Sequence, residues 1–344
     1  MHASGRAAQE RVEAAREAVA RLLGTRAGRI TFTSGATEAN NAAIHAWARK
    51  DARRPLLVST SLEHPSVAEP LRRLEPTQGW HRLPATAAGG TALDGLADLP
   101  AGRIGLVACL AANNETGVLQ PWREIRDWAR EAEVPLHVDL TQVAGREPVA
   151  LDGSGIASAS LSGHKLGALA GCGVLWMAGD LEPLLLGGPQ ERGRRAGTEN
   201  VAGIVALGAV ADRLVRHGEE ERTRIGELGR RLRKAVAALP GVEFGVPQGA
   251  VLDNTVHLRL PVEAEAVLIR LDLQGVCASM GSACSAGAVR PSRTLLAMGW
   301  SEEQARRALR LSLGWSSTAG EVDRAAGILG QILSNLGVSE KSSA

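Results

Sequence analysis

Tyrosine is absent from this sequence, phenylalanine occurs twice, and lysine supplies only four of the 39 basic residues (Lys50, Lys165, Lys234, Lys341). The shortage of aromatic rings leaves stacking on a flat ligand to tryptophan and histidine. The shortage of lysine singles out any lysine in a glycine-rich, uncharged stretch as a position where arginine did not serve. Cysteine is scarce as well: Cys109, Cys172, Cys277 and Cys284 in 344 residues do not make a disulfide scaffold. No CxxC pair or His/Cys ligand spacing supports a metal site. No apolar run reaches the roughly 18–20 residues of a membrane-spanning helix. The opening stretch, MHASGRAAQERVEAAREAV, has no apolar core of the signal-peptide kind. The formal net charge of +2 argues against a dedicated nucleic-acid or membrane-surface binder. The expectation is a cytoplasmic protein with no nucleic-acid or membrane partner.

What is present is enough for a large core: 44% of residues are hydrophobic and 22% charged over a length of about two domains. An amphipathic helix is predicted over about 6–23, ended by Gly24. Strand-like runs follow at 30–33, 55–60, 104–108, 136–139 and 173–177, with helices at about 37–50 and 122–133 between them. Strands alternating with helices predict a mostly parallel sheet with crossover helices. From about 198 to 238 the chain is continuously helix-compatible until Pro240-Gly241. Short strands at 242–246, 255–260 and 309–313 then mix with helices near 263–274, 292–298, 302–309 and 319–336. The expected architecture is α/β: a large domain over 1–238 that ends in a long linking helix, and a smaller α+β domain over 239–344.

Several polar positions fall where strands end. Ser34-Gly35-Ala36-Thr37 lies at a strand-to-helix junction, where free N–H groups and the helix dipole make an anion site or simply an N-cap. Ser162-Gly163-His164-Lys165-Leu166-Gly167 places Lys165 in a loop almost without charge. An amine in apolar surroundings loses its proton more easily and becomes a nucleophile, although a snorkelling surface lysine would look the same. The 136–139 strand ends on Asp139, at the crevice where open α/β sheets bind ligands, or at a helix N-cap. His64 could lie on a flat ring, in a protein with no tyrosine to do so. The 113–117 turn, Asn113-Asn114-Glu115-Thr116-Gly117, supplies amides after another strand. The 281–287 loop, Gly-Ser-Ala-Cys-Ser-Ala-Gly, presents the Cys284 thiol on an accessible segment. Cys109, Cys172 and Cys277 sit in apolar contexts and are expected to be buried.

These stretches stand in order as TSGATEANN, EHPSV, NNETGVLQP, HVDLTQVAG, SGHKLG, ERGRRAGTEN, GSACSAG and LRLSLG. In that order, over essentially the whole chain, the sequence resembles the NifS/IscS-type cysteine desulfurases, class V members of the fold-type-I pyridoxal-phosphate enzymes. The resemblance implies that fold, the cofactor pyridoxal 5'-phosphate, and L-cysteine as substrate. Lys165 matches the Schiff-base lysine and acid/base at the substrate Cα, and Cys284 the nucleophile that takes the sulfur as a persulfide. Asp139 matches the partner of the pyridine nitrogen, His64 the residue stacked on the ring and a catalytic group, and Gln142 the ligand of the phenolic oxygen. Thr37, Ser162 and His164 match phosphate ligands, and Ala36 a cofactor-binding position. Thr198 matches a residue that reaches the phosphate of a second subunit, which implies a homodimer. Asn114 and Arg310 match the groups that hold the substrate carboxylate, with Asn114 also beside the cofactor. No metal is implied.

The implied outcome is alanine plus a Cys284 persulfide, passed on to a sulfur acceptor such as an iron–sulfur scaffold or a thiolation pathway. Family chains usually begin some tens of residues earlier, with a segment like LDNAATTP. Met280, Ala196 and Trp315 are further departures. Two other expectations therefore stand beside the first. One is another class V enzyme, a selenocysteine lyase or an aminotransferase-like relative. The other is a truncated, non-catalytic paralogue acting as an interaction protein.

Overall fold

The computed structural model describes residues 2–180, 182–281 and 291–338. Backbone proximity separates two compact units. The first comprises Met1–Pro84, Thr91–Ala112 and Gln120–Glu219, and the second Ala85–Gly90, Asn113–Leu119 and Glu220–Ala344.

In the first unit, α1 (Ala3–Leu22), β1 (Ile30–Thr33), α2 (Ala36–Lys50), β2 (Leu56–Thr60), α3 (Pro65–Leu74), β3 (Trp80–Leu83) and β4 (Ile104–Leu110) come first. They are followed by α4 (Trp122–Glu131), β5 (Leu136–Asp139), β6 (Ser158–Ser162), β7 (Gly173–Met177) and the start of α5 (Val201–Ala237). The seven strands form one sheet in the order β1-β7-β6-β5-β4-β2-β3. Pairing is parallel from β6 to β3, and only β7 runs against its neighbours. The sheet is thus mostly parallel, as the strand–helix alternation predicts. Strands such as β4 and β6 are buried throughout, as expected of a sheet covered by helices on both faces.

Three elements of the first unit escape the periodicity. β6, SASLS, alternates serine with small apolar residues and reads as a polar stretch. α3 opens on Pro65, is capped by the His64 side chain, and carries Pro70 inside its ten residues, which hides its helical pattern. β3 is a four-residue edge strand with only Leu83 buried. The helix expected over 302–309 stops at Arg306. Ala308 and Leu309 are instead fully buried in a strand paired to its neighbour, and packing overrides the local propensity.

The second unit contains β8 (Glu243–Phe244), β9 (Thr255–Arg259), α6 (Ala264–Leu273), α7 (Arg293–Ala297), α8 (Glu302–Arg306), β10 (Ala308–Ser312) and α9 (Ala319–Asn335). Its antiparallel sheet, ordered β10-β9-β8, packs with the second half of α5, α6 and α9 around Leu232, Val236, Val256, Leu258, Leu271, Leu309 and Leu329.

Candidate active site

β1, β2, β5 and β6 all end at one edge of the first sheet, because the reversal at β7 restores β1 to the direction of the parallel strands. At that edge the turn into α2 and the turn after β6 come together. β7 begins at Gly173, paired with Thr33 on one side and Ser162 on the other. A Cβ on Gly173 would lie 2.5 Å from the Gly35 Cα and 2.8 Å from the Leu161 carbonyl oxygen. Only glycine permits that approach. It brings the start of α2 next to Ser162, whose hydroxyl lies 2.8 Å from His164 Nδ1. Gly35 gives α2 no side-chain cap, so its first N–H groups stay available to an anion beside buried Ala36 and exposed Thr37.

Asp139, the last residue of β5, is buried. Its Oδ1 accepts the Thr141 N–H at 2.9 Å and its Oδ2 accepts Asn40 Nδ2 at 2.8 Å. Each carboxyl oxygen thus accepts one bond from a donor fixed by the fold. His64 caps α3: its Nδ1 receives the Ser66 N–H at 3.1 Å and lies 2.8 Å from the Ser66 hydroxyl. Burial, first, and the Lys165 charge depress the titration of His64, while Asp139 opposes them. The imidazole therefore sits within the field of both groups.

Lys165 lies in a 3-10 turn over Gly163–Leu166 that closes on left-handed Gly167. Arg146 staples this turn to the one after β5, donating to the Lys165 carbonyl at 2.8 Å and to the Gln142 carbonyl at 2.9 Å. Lys165 itself is exposed, not sunk among apolar side chains as its uncharged sequence context predicts. The small residues around it leave it uncovered. Thr198 is also exposed, three residues after Arg195, whose Nε donates to Glu38 of α2 at 2.9 Å.

Sequence reasoning missed what stands behind Asp139. Asn40 is fully buried on the apolar stripe of α2. Besides Asp139 it donates to Ser66 Oγ at 2.8 Å, and its Oδ1 accepts from Ser160 and lies 2.9 Å from His137 Nε2. His137 Nδ1 lies 2.9 Å from Ser158 Oγ, which also accepts the Trp47 indole N–H at 3.1 Å. Glu63 was missed as well. Burial, with help from Asp139, pushes its carboxyl up to about 8. Thr60 and the Leu110 N–H bond its Oε1, at 2.7 and 3.2 Å. One signal was available: LHVD and SASLS are buried strands that alternate polar residues on a single face.

In the second unit Asn114 and Arg310 do meet, the guanidinium Nη1 donating to the Asn114 carbonyl. Ser279 and Arg310 exchange backbone hydrogen bonds of 3.0 and 2.7 Å. Next to Asn114, buried Glu115 accepts from the Ser292 hydroxyl and, at 3.4 Å, from Thr294. Burial raises the Glu115 carboxyl even though Ser292, Arg310 and Thr294 oppose the shift. Cys284 lies outside the described residues. Of the other thiols, Cys109 and Cys172 are buried, whereas Cys277 is exposed. Cys277 lies in the segment after α6 instead of on an inward strand face, so its apolar neighbours in sequence do not cover it.

The model of the aminotransferase class-V family matches residues 1–325, and the chain belongs to that family. Within it, the chain is 38% identical over 342 residues to a cysteine desulfurase of Nostoc sp., covering 98% of this chain and 85% of that relative. It is 37% identical to an IscS-like cysteine desulfurase of Mycobacterium tuberculosis, over 96% of this chain and 87% of the relative. A solved NifS-like protein superposes with a TM-score of 0.90 at 30% identity, covering 97% of this chain and 90% of that one. This is the fold that the ordered motifs imply. The relatives do not favour a selenocysteine lyase, an aminotransferase or a non-catalytic scaffold.

Proposed function

We propose that the protein is a pyridoxal-phosphate-dependent cysteine desulfurase that converts L-cysteine to L-alanine and moves the sulfur to Cys284. The observation that carries this reading is buried Asp139, fixed as an acceptor by Asn40 and Thr141 at the end of β5, with His64 in the field of both Asp139 and Lys165. That donor set fits the cofactor: an acid for its ring nitrogen, an imidazole for its ring face, an amine for its aldehyde, and an uncapped helix start for its phosphate. Asp139 would hold the ring nitrogen and Gln142 the phenolic oxygen. Ala36, Thr37, Ser162 and His164 would hold the phosphate, with Thr198 reaching the phosphate of a second copy in a homodimer. The cofactor, when bound, supplies an electron sink for charge developing at the substrate Cα.

Lys165 takes and returns the proton at that carbon. Arg310 binds the substrate carboxylate through its planar fork, assisted by Asn114. The Cys284 thiolate attacks the substrate sulfur. An S–S bond forms and the substrate Cβ–S bond breaks. Cβ takes the electron pair and a proton equivalent to the one the Cys284 thiol gave up, and alanine leaves with Cys284 as a persulfide. A sulfur-acceptor protein such as an iron–sulfur scaffold then removes the outer sulfur. Cofactor binding is assigned to the domain over 1–238 and the thiol to the domain over 239–344, in a cytoplasmic enzyme. Among the described residues no helix is long and apolar enough to cross a membrane.

The test is alanine release from L-cysteine by the full chain with added pyridoxal phosphate and a thiol reductant. Lys165→Ala and Cys284→Ala should each lower the rate by about a thousandfold or more. Alanine formation that survives in Lys165→Ala would sink the assignment of the amine. An unaffected Cys284→Ala would leave a lyase instead of a sulfur transferase.

A further inference from the structure

The bonds around Asn40 have a direction that can be worked out from their ends. The Trp47 indole nitrogen can only donate, so Ser158 Oγ accepts from it at 3.1 Å and has its own proton free for His137 Nδ1 at 2.9 Å. Burial, against Asp139 and a Ser158 backbone hydrogen bond, holds His137 down to about 4, so the ring is neutral with a single proton. With the Ser158 hydroxyl donating to Nδ1, that proton lies on Nε2. That proton goes to Asn40 Oδ1 at 2.9 Å, where the Ser160 hydroxyl also donates. Asn40 must therefore turn its amino group the other way, toward Asp139 Oδ2 and Ser66 Oγ, each at 2.8 Å. Ser66 Oγ, already accepting, gives its proton to His64 Nδ1 at 2.8 Å. The Ser66 backbone N–H, which cannot reverse, points at the same nitrogen.

The chain of bonds has a donor-only head at Trp47 and acceptor ends at Asp139 and His64, and every link agrees. Its scaffold is rigid. Asn40 and Trp47 lie two turns apart on α2, and His137–Ser158 and Asp139–Ser160 are paired neighbours on β5 and β6. Trp47 packs against two apolar clusters, with Lys50 Nζ 4.1 Å from its ring centroid.

We propose that Asn40 is a positioning residue, oriented by Trp47 through Ser158 and His137, that holds a donor on Asp139 and, through Ser66, keeps His64 Nδ1 an acceptor with the ring proton on Nε2. A neutral His64 over the cofactor ring would add no positive charge to compete with the protonated ring nitrogen for the Asp139 carboxylate. This purpose rests on the functional reading above. The tautomers themselves do not.

The experiment uses the full chain with histidine nitrogens labelled by 15N, and the His64 and His137 signals assigned through His64→Gln and His137→Gln. Both rings should show a protonated Nε2 and a bare Nδ1 at neutral pH. A proton on Nδ1 of either ring, or a charged ring, overturns the proposal without any variant of Asn40. Asn40→Asp then separates the two ends of the amide, because it keeps an acceptor for His137 and Ser160, while a carboxyl, ionised or sharing a proton with Asp139, offers at most one donor in place of two. The expected result is an unchanged His137 tautomer together with about tenfold or greater loss of pyridoxal-phosphate affinity, measured by absorbance titration. Unchanged affinity in this variant overturns the proposal, as does a change at His137 alone. Parent chain with the stated tautomers but no cofactor binding would instead refute the functional reading and leave the bond direction standing.

Discussion

His137 on β5 and His257 on β9 are buried almost completely, and burial holds each near 4, yet the two units use them in opposite ways. Both nitrogens of His137 are bonded, one to Ser158 and one to Asn40. Among the described residues, neither nitrogen of His257 has a hydrogen-bond partner. The ring stands edge-on to Trp300 with centroids 5.8 Å apart, fills the space over Gly245, and faces Arg310 across the β9–β10 pair. Burial and then the Arg310 charge keep a proton off it. The first histidine is a link in a polar chain, and the second is a volume. A titration value alone does not separate a working imidazole from a packed one. The partners of its two nitrogens do.

The comparison is open to direct attack. His137→Leu should do most damage, because it strips Asn40 and Ser158 of a partner inside the core. A loss of about 2–3 kcal/mol is expected in urea unfolding at pH 7.5, and a loss below 1 kcal/mol would show that the chain of bonds is dispensable. The acid side comes next. Below the ordinary histidine value of 6.5 the unfolded chain takes up a proton that folded His257 refuses until about 4. Stability is therefore complete above pH 6.5 and lost as pH falls toward 4. Between pH 7.5 and 5 this group should cost about 2 kcal/mol. His257→Leu should flatten the pH dependence by that amount, while His137 goes on contributing its own share, and an identical slope in parent and variant would contradict the assignment. At pH 7.5 the same His257→Leu substitution should change stability by less than about 1 kcal/mol, since it breaks no hydrogen bond. Least of all is expected from exposed Cys277→Ser, within about 0.5 kcal/mol by urea unfolding and without effect on alanine release.

The difference between the two histidines also explains what could be read in advance. Asp139, Lys165 and His64 declare themselves because each stands alone as a reactive type at a strand end or in a loop of small residues. Asn40 does not: in TEANN it reads as one more polar position on a helix, and its place on the buried stripe follows only from the helix phase against β5 and β6. Glu63, beside a histidine that draws attention, is likewise a plain loop glutamate until burial and Asp139 raise its carboxyl. The exposure of Lys165 and Cys277 went unread for the converse reason. Apolar neighbours along the chain do not guarantee apolar neighbours in space.

The sequence by itself determined the alternation of strands and helices apart from α3, β3 and β6, the strand end on which Asp139 falls, the turns that carry Thr37 and Lys165, and the family to which the chain belongs, because hydrophobic period and reactive residue types are local properties. Only the tertiary structure decided which of two buried histidines is bonded, which way Asn40 turns its amide, and why Gly173 must be glycine. Each of those depends on what another strand or helix places within three ångströms, and no spacing along the chain encodes that distance.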